Sequence, residues 1–160
     1  MATYKRQGAY TDCFTTEISH TISHEEYIQA FYTTLIFKLE RSIIKWAVAK
    51  PSSDDEVNLL AAGATDTFSA WSVEDRSKNQ LLMCDFKNKT RSWLMIESIE
   101  KKDGKRTRLY FGSAVVPDKN LKPAQSPLGA VFKALHWFHL SYSRILLLSA
   151  KLRLSQNKRN

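Results

Sequence analysis

The first strong pattern in the chain is an amphipathic stretch that begins at the sequence ISHEEYIQAF. Ser23 and Glu26 form an S-x-x-E capping box, in which each side chain bonds a backbone N–H group of the other residue. Apolar residues then recur at helical spacing as far as Trp46. The pattern predicts a helical segment over residues 24–50, which Pro51 ends and the polar run PSSDDE follows as a loop.

Two neighbouring features qualify this segment. Thr33 and Thr34 form a weak point within it, which favours two short helices joined by a bend over one long helix. Before the capping box, the stretch YTDCFTTEIS is rich in β-branched and aromatic residues. This composition predicts an N-terminal strand over residues 8–22.

Between residues 57 and 116 the apolar period changes to that of antiparallel strands. Within IEKKDGKRTRLYF, Asp103-Gly104 is the dipeptide preferred in a two-residue hairpin turn. A second turn is predicted in KNKT, centred on Asn88-Lys89. The stretch therefore predicts a meander of at least four strands.

A long C-terminal helix is predicted over residues 127–154. Ser126 is placed as its N-cap and Pro127 as its first residue, where proline is favoured. The order strand, helical segment, meander and terminal helix predicts an α+β fold in a single domain spanning residues 1–160. One helix must then cover one face of a strongly curved antiparallel sheet.

The two turns fix which strand residues share a face, because a slip of one residue would reverse every side chain. A turn at Asp103-Gly104 pairs Lys102 with Lys105, and a turn at Asn88-Lys89 pairs Met83 with Leu94. Both hairpins then place one mostly apolar set on the same face, which we predict to be inward: Leu81, Met83, Asp85, Ser92, Leu94, Ile96, Leu109, Phe111, Ser113 and Val115.

This assignment places Trp93, Tyr110 and Arg91 on the outer face of the sheet. The two aromatic residues could form a contact surface for a partner or a second copy of the chain. Arg91 is interpreted either as an anion-binding group or as a member of a cross-strand ion pair.

The C-terminal stretch FKALHWFHLSYSRILLL contains two histidines inside an apolar run. At about 100° per residue, His139 lies in the middle of the predicted apolar stripe and His136 near its edge. The other members of the stripe are Leu128, Val131, Phe132, Leu135, Phe138, Tyr142, Leu146 and Ser149.

The sequence offers little support for a metal site or a known catalytic motif. A zinc site needs three or four ligands, whereas the two histidines are three residues apart and Cys13 and Cys84 are scattered. Nucleophile-elbow, phosphate-loop and dinucleotide-binding motifs are missing. We predict no cofactor and no metal.

Asp85 and His139 are the two residues with the clearest catalytic potential. Asp85 is the one charge on the predicted inner face, although it could simply cap the end of its strand. His139 suits proton transfer near neutral pH, but it could equally be a core histidine bonded to one acceptor, or a group that orients a ligand. The chain is therefore interpreted as a binder, with an enzyme as the alternative.

Composition adds few constraints on the partner. The net charge is +8, and the basic residues gather at a hairpin tip and in the C-terminal tail without interleaved aromatic residues. We predict no nucleic-acid partner. No signal peptide is visible, and the most apolar run is too short for a bilayer, so we expect no stable membrane insertion and a cytoplasmic location.

The order of elements resembles the helix-grip fold of the START-like, or Bet v 1-like, superfamily of polyketide cyclases and lipid-transport proteins. The segments that carry this resemblance are FYTTLIFKLERSIIKWAVAKPSSD, TDTFSAWSVEDRSKNQLLMCD, TRSWLMIES, TRLYFGSAVVP and LGAVFKALHWFHLSYSRILL. They are also similar to uncharacterised bacterial proteins of this kind.

The resemblance implies an apolar cavity between a curved sheet and the C-terminal helix. It implies binding of a lipid-like or aromatic small molecule, and it carries over no catalytic residue. The alternatives are a cyclase-like or hydrolase-like enzyme using His139 and Asp85, and an interaction protein with a filled cavity that forms a homodimer or binds a partner. The residues predicted to line the cavity are Met83, Asp85, Ser92, Leu94, Ile96, Phe111, Ser113, Phe132, Leu135, His139 and Tyr142.

Overall fold

The computed structural model of the protein describes residues 1–34, 37, 53–102, 104–116 and 129–157. In the last of these segments it describes the side chains of residues 140–156. The helices and strands, in chain order, are α1 (Ala2–Arg6), β1 (Tyr10–Ile18), α2 (His24–Tyr32), α3 (Asp54–Ala61), β2 (Thr67–Phe68), β3 (Trp71–Ser77), β4 (Gln80–Asp85), β5 (Thr90–Lys101), β6 (Gly104–Val115) and α4 (Gly129–Asn157).

The strands form one six-stranded antiparallel sheet in the order β1-β6-β5-β4-β3-β2. The C-terminal helix α4 packs against α2 and against the β1 and β6 side of the sheet. The predicted α+β class, with an antiparallel sheet and a long C-terminal helix, is therefore confirmed.

The capping box before α2 is present as predicted. Glu26 N–H donates to Ser23 Oγ at 3.1 Å, and Ser23 N–H donates to the Glu26 carboxylate at 2.7 Å. The helix ends at Tyr32 with Thr33 as its C-cap, at the predicted weak point. Apart from Phe37, the remainder of the predicted helical segment as far as Pro51 lies outside the described residues.

The prediction of a loop at PSSDDE and of strands from residue 57 was wrong. Ser53 caps the helix α3 with a second capping box, in which Glu56 N–H donates to Ser53 Oγ at 3.2 Å. Val57 and Leu60 are buried on this helix. Two other boundaries also move: β1 covers only the middle of the predicted 8–22 strand, and α4 continues beyond residue 154. Ser126 and Pro127 lie outside the described residues.

The predicted strand pairs are wrong by two residues in both hairpins. Lys101, rather than Lys102, pairs closest to the β5–β6 turn, opposite Gly104. In the other hairpin, Met83 lies opposite Ser92 instead of Leu94. The connection between β4 and β5 contains four residues, 86–89. The two-residue turn assumed for this hairpin is therefore too short, and the pairing shifts. Asp103 lies outside the described residues.

A displacement of two residues leaves the faces of the sheet unchanged, because side chains alternate with a period of two. The predicted inner face is confirmed by burial. Its fully buried members join the main hydrophobic core; they are Leu81, Met83, Leu94 and Leu109. Val115, at the end of β6, is an exception and is 38% exposed.

The buried stripe of α4 is rotated from the predicted one within the described part of the helix. Leu146 is buried and Tyr142 packs against the core as expected, whereas Ser149 is only half-buried. The buried arc instead extends to the side of the helix that carries Ser143, Leu147, Ala150 and Leu154. The physical reason is that α4 contacts both the sheet and α2, and a helix with two neighbours buries a wider arc.

Candidate functional site

A mostly apolar pocket of about 140 Å³ lies between the inner face of the sheet and α4. Its wall is built from three groups: aromatic residues of α2 and the segment after it, residues of β3, β5 and β6, and one side of α4. The described residues that line it are Phe31, Phe37, Trp71, Thr90, Arg91, Ser92, Phe111, Ser113, Tyr142, Ser143 and Leu146.

Aromatic rings form the apolar part of this wall. The Phe31 ring contacts two other rings of the wall, with its centroid 4.8 Å from that of Phe111 and 6.2 Å from that of Phe37. Such tilted pairs are favourable beyond the burial of their surface. The capping box positions Phe31 by fixing the start of α2, and the alternation of β6 points Phe111 to the same space.

Short polar side chains form the other part of the wall. Ser92 and Ser113 are directly opposite each other on β5 and β6, and both are buried. Ser113 donates from its backbone N–H and its hydroxyl to Asp12 Oδ1, at 3.0 and 2.7 Å. Small side chains in this row leave space beneath α4 that larger apolar residues would fill.

Ser143 lines the cavity from α4, next to Tyr142. It is 0% exposed, and its hydroxyl has no hydrogen-bond partner among the described residues. The sequence did not single it out, because a serine in an apolar helix usually bonds its own backbone or faces water.

Four of the predicted cavity residues are brought together here: Ser92, Phe111, Ser113 and Tyr142. Met83 and Leu94 are fully buried in the core and Ile96 packs against it, but none of the three lines the cavity. The side chains of Phe132, Leu135, His136 and His139 lie outside the described residues, although α4 includes their positions.

Asp85 does not line the cavity. Its Oδ1 accepts the backbone N–H groups of Lys89 and Thr90, at 2.7 and 2.8 Å. These bonds hold the connection between β4 and β5, in which Asn88 has a φ of 59°. The carboxylate therefore has the strand-end capping role that the sequence left open.

Phe31 and Trp71 line the cavity but were not among the residues predicted to do so. Phe31 was recognised as an apolar helix position, but only the packing of α2 over the sheet shows that it reaches the cavity. Trp71 starts β3 and packs against the core beside Asp85, its cross-strand neighbour. Its inward direction follows from the β3–β4 register, which has an irregularity between Val73 and Asp75.

The outer face of the sheet carries Trp93 and Tyr110, as predicted, with ring centroids 6.1 Å apart. Both are half-buried, and their polar atoms are bonded: the Trp93 indole N–H donates to Gln80 at 3.0 Å, and the Tyr110 hydroxyl donates to Glu97 at 2.6 Å.

Of the two interpretations of Arg91, anion-binding group or member of an ion pair, the structure shows the ion pair. Arg91 Nε lies 2.5 Å from Glu74 Oε2 and 2.9 Å from the Tyr4 hydroxyl, which donates to Glu74. The guanidinium also lies 5.1 Å from the centre of the Tyr4 ring. Because Tyr4 belongs to α1, this cluster attaches the N-terminal helix to the sheet and buries the arginine.

A larger groove of about 600 Å³ lies elsewhere, between α2, α3 and the end of α4. Its lining is mainly polar and includes Glu26, Asp54 and Arg153. Arg153 is bonded across it, from Nη1 to the Thr33 carbonyl at 2.7 Å. Because small-molecule sites are predominantly lined by apolar and aromatic side chains, the polar lining makes this groove a weaker candidate than the apolar cavity.

The described residues contain no cluster of three or more histidine, cysteine, aspartate or glutamate side chains suited to a metal ion. Within the same residues, no helix has the length and apolarity needed to cross a membrane.

No family model matches the chain, and no curated protein matches it significantly. Among solved structures, it is similar to a protein of unknown function from Staphylococcus aureus, with 9% identity and a TM-score of 0.44 over 95% of this chain and 98% of that one. A second similar structure is an uncharacterised protein from Rhizobium leguminosarum, with 9% identity and a TM-score of 0.33 over 92% of this chain and 97% of that one.

Proposed function

We propose that this protein has the helix-grip fold of the START-like, or Bet v 1-like, superfamily and binds a small apolar or amphipathic molecule between its sheet and C-terminal helix. The observation that carries the proposal is the mostly apolar cavity in that position, lined by Phe31, Phe37, Phe111 and Trp71. Aromatic and aliphatic walls with a few polar groups are typical of small-molecule sites.

The cavity volume favours a compact ligand. A dry apolar cavity of about 150 Å³ is large enough for benzene, and the cavity here is about 140 Å³. A single aromatic ring with small substituents therefore fits it better than an extended acyl chain does.

The proposal contains no catalytic step. Asp85, one of the two candidate catalysts, bonds the backbone of its own turn and lies away from the cavity lining. The open space beneath α4 also favours ligand binding over the alternative of a cavity filled by side chains.

The test is a titration of the full chain with toluene, phenol and indole, followed by two-dimensional NMR at the Trp71 indole N–H. Ser92→Leu fills the cavity from the inner face of β5, and we expect it to weaken binding at least tenfold. The matched control is Ser98→Leu, the same substitution at an exposed position of the same strand, which should leave affinity unchanged.

Unfolding curves of both variants verify that the fold is retained. Native mass spectrometry of protein purified from cells, with displacement of a fluorescent fatty acid, extends the search to larger ligands. The proposal fails if wild-type protein binds none of the three ring compounds, displaces no fatty acid and carries no ligand.

A further inference from the structure

We infer that the Ser143 hydroxyl is the polar anchor of this cavity, so that its ligand is a neutral ring compound carrying one hydroxyl or carbonyl oxygen. This inference rests on the proposed function and names the ligand class that the same cavity would take.

The first argument is the unused hydrogen-bonding capacity of Ser143. Its Oγ is buried, lines the cavity and has no hydrogen-bond partner among the described residues. Elsewhere on the same helix, Ser155 Oγ donates to the Lys151 carbonyl at 2.9 Å. A buried hydroxyl without a partner is costly, and a ligand oxygen inside the cavity would remove that cost.

The second argument is that two of the neighbouring polar groups, those of Ser113 and Arg91, are already occupied. The Ser113 hydroxyl donates to Asp12. The Arg91 guanidinium is engaged by Glu74 and Tyr4 on the outer face of the sheet. Ser143, whose buried hydroxyl has no partner among the described residues, is therefore well placed to select for a polar group on the ligand.

The third argument concerns the charge of the ligand. Among the described lining residues there is no aspartate or glutamate that could compensate an ammonium group. The arginine is held by its own carboxylate partner, so it is not available for an anion. Burial of an uncompensated charge is strongly unfavourable, and a neutral ligand follows.

Phenol and toluene are suitable probes because they have nearly the same size and differ in one hydroxyl group. We expect the ratio of phenol affinity to toluene affinity to be about tenfold higher in the wild-type protein than in Ser143→Ala, which corresponds to one hydrogen bond. The matched control is Ser141→Ala, an exposed serine of the same helix, which should keep the wild-type ratio.

The unliganded proteins provide a second readout. Removing a buried hydroxyl without a partner should raise the melting temperature of Ser143→Ala or leave it unchanged, and Ser141→Ala should melt as the wild type does. A clear fall in the Ser143→Ala melting temperature would show that the hydroxyl has a partner in the free protein, and would overturn the inference.

The outcomes separate the two proposals. If toluene binds but the affinity ratio is the same within twofold in wild type and Ser143→Ala, the anchor is wrong and the proposed function stands. The proposed function fails if the folded wild-type protein binds neither compound and if native mass spectrometry and fatty-acid displacement also find no ligand. In that case the inference about Ser143 fails with it.

Discussion

The environment of His24 departs strongly from that of the free side chain. The residue begins α2, it is 8% exposed, and its Nε2 has no hydrogen-bond partner among the described residues. Burial lowers its pKa to about 4; a bond to the Leu94 backbone acts in the opposite direction, and the charge of Arg76 adds to the lowering. The imidazole is therefore neutral in the folded protein at physiological pH.

This pKa predicts a specific loss of stability in acid. The unfolded chain takes up a proton on His24 near its ordinary pKa of about 6.5, whereas the folded protein takes it up only near pH 4. The neutral His24 therefore contributes about 3 kcal/mol to the free energy of unfolding above pH 6.5. This contribution is lost as the pH falls from about 6.5 to about 4.

Urea unfolding at pH 7.0 and 4.5 measures this contribution. His24→Gln should be destabilised at pH 7.0 but should lose about 2–3 kcal/mol less than the wild type on acidification. Equal losses in the two proteins would show that His24 does not titrate abnormally.

At the scale of elements, local sequence signals predicted the start of α2 and the faces of the strands, but not the starts of α1 and α3. The Ser23 capping box was recognised, and the same spacing of Ser53 and Glu56 was present but was interpreted as part of a loop after Pro51. The short helix α1 lacks a signal of this kind, because its N-cap Met1 makes no side-chain cap bond.

Strand pairs were harder to predict than strand faces. The alternation of apolar residues fixes a face whatever the exact partner, whereas the pairing depends on loop length. The β4–β5 connection is held by Asp85 rather than by a two-residue turn, and the sequence does not show how many residues such a loop contains. The cavity could be assigned to the inner face, but its lining required the packing of α2 and the orientation of α4.

The second capping box provides the prediction at this scale. Ser53→Ala removes the acceptor of the Glu56 N–H group and should lower the free energy of unfolding by about 1 kcal/mol. Ser53→Asp keeps an acceptor at the N-cap and should lose much less. Chemical denaturation of the wild type, Ser53→Ala and Ser53→Asp measures these differences. If Ser53→Ala is as stable as the wild type, the cap contributes nothing to stability.

At the scale of the whole molecule, the docking of α4 joins the sheet to α2. Leu146 is 2% exposed and belongs to the core, while Leu148 on the same helix is 51% exposed. The two leucines therefore form a matched pair within one helix.

Leu146→Ala should lower the free energy of unfolding by about 2–5 kcal/mol, because it removes buried methyl groups next to an existing cavity. Leu148→Ala should change it by no more than about 0.5 kcal/mol. Urea titrations of both variants test the orientation of α4. Similar losses at the two positions would mean that the helix is rotated from the arrangement described above.

The position of β1 in the sheet has a consequence for how the chain folds. Tyr10 pairs with Val115, so among the described strands the first in chain order has the last as its one neighbour. Strands β3 to β6 need only hairpin closures, which are fast, whereas closing β1 onto β6 requires a long loop and costs more chain entropy. We expect amides of β4 to β6 to gain protection before those of β1 in pulsed hydrogen exchange during refolding. On the ribosome, the segment YTDCFTTEI has to wait, without its partner, until β6 has been made.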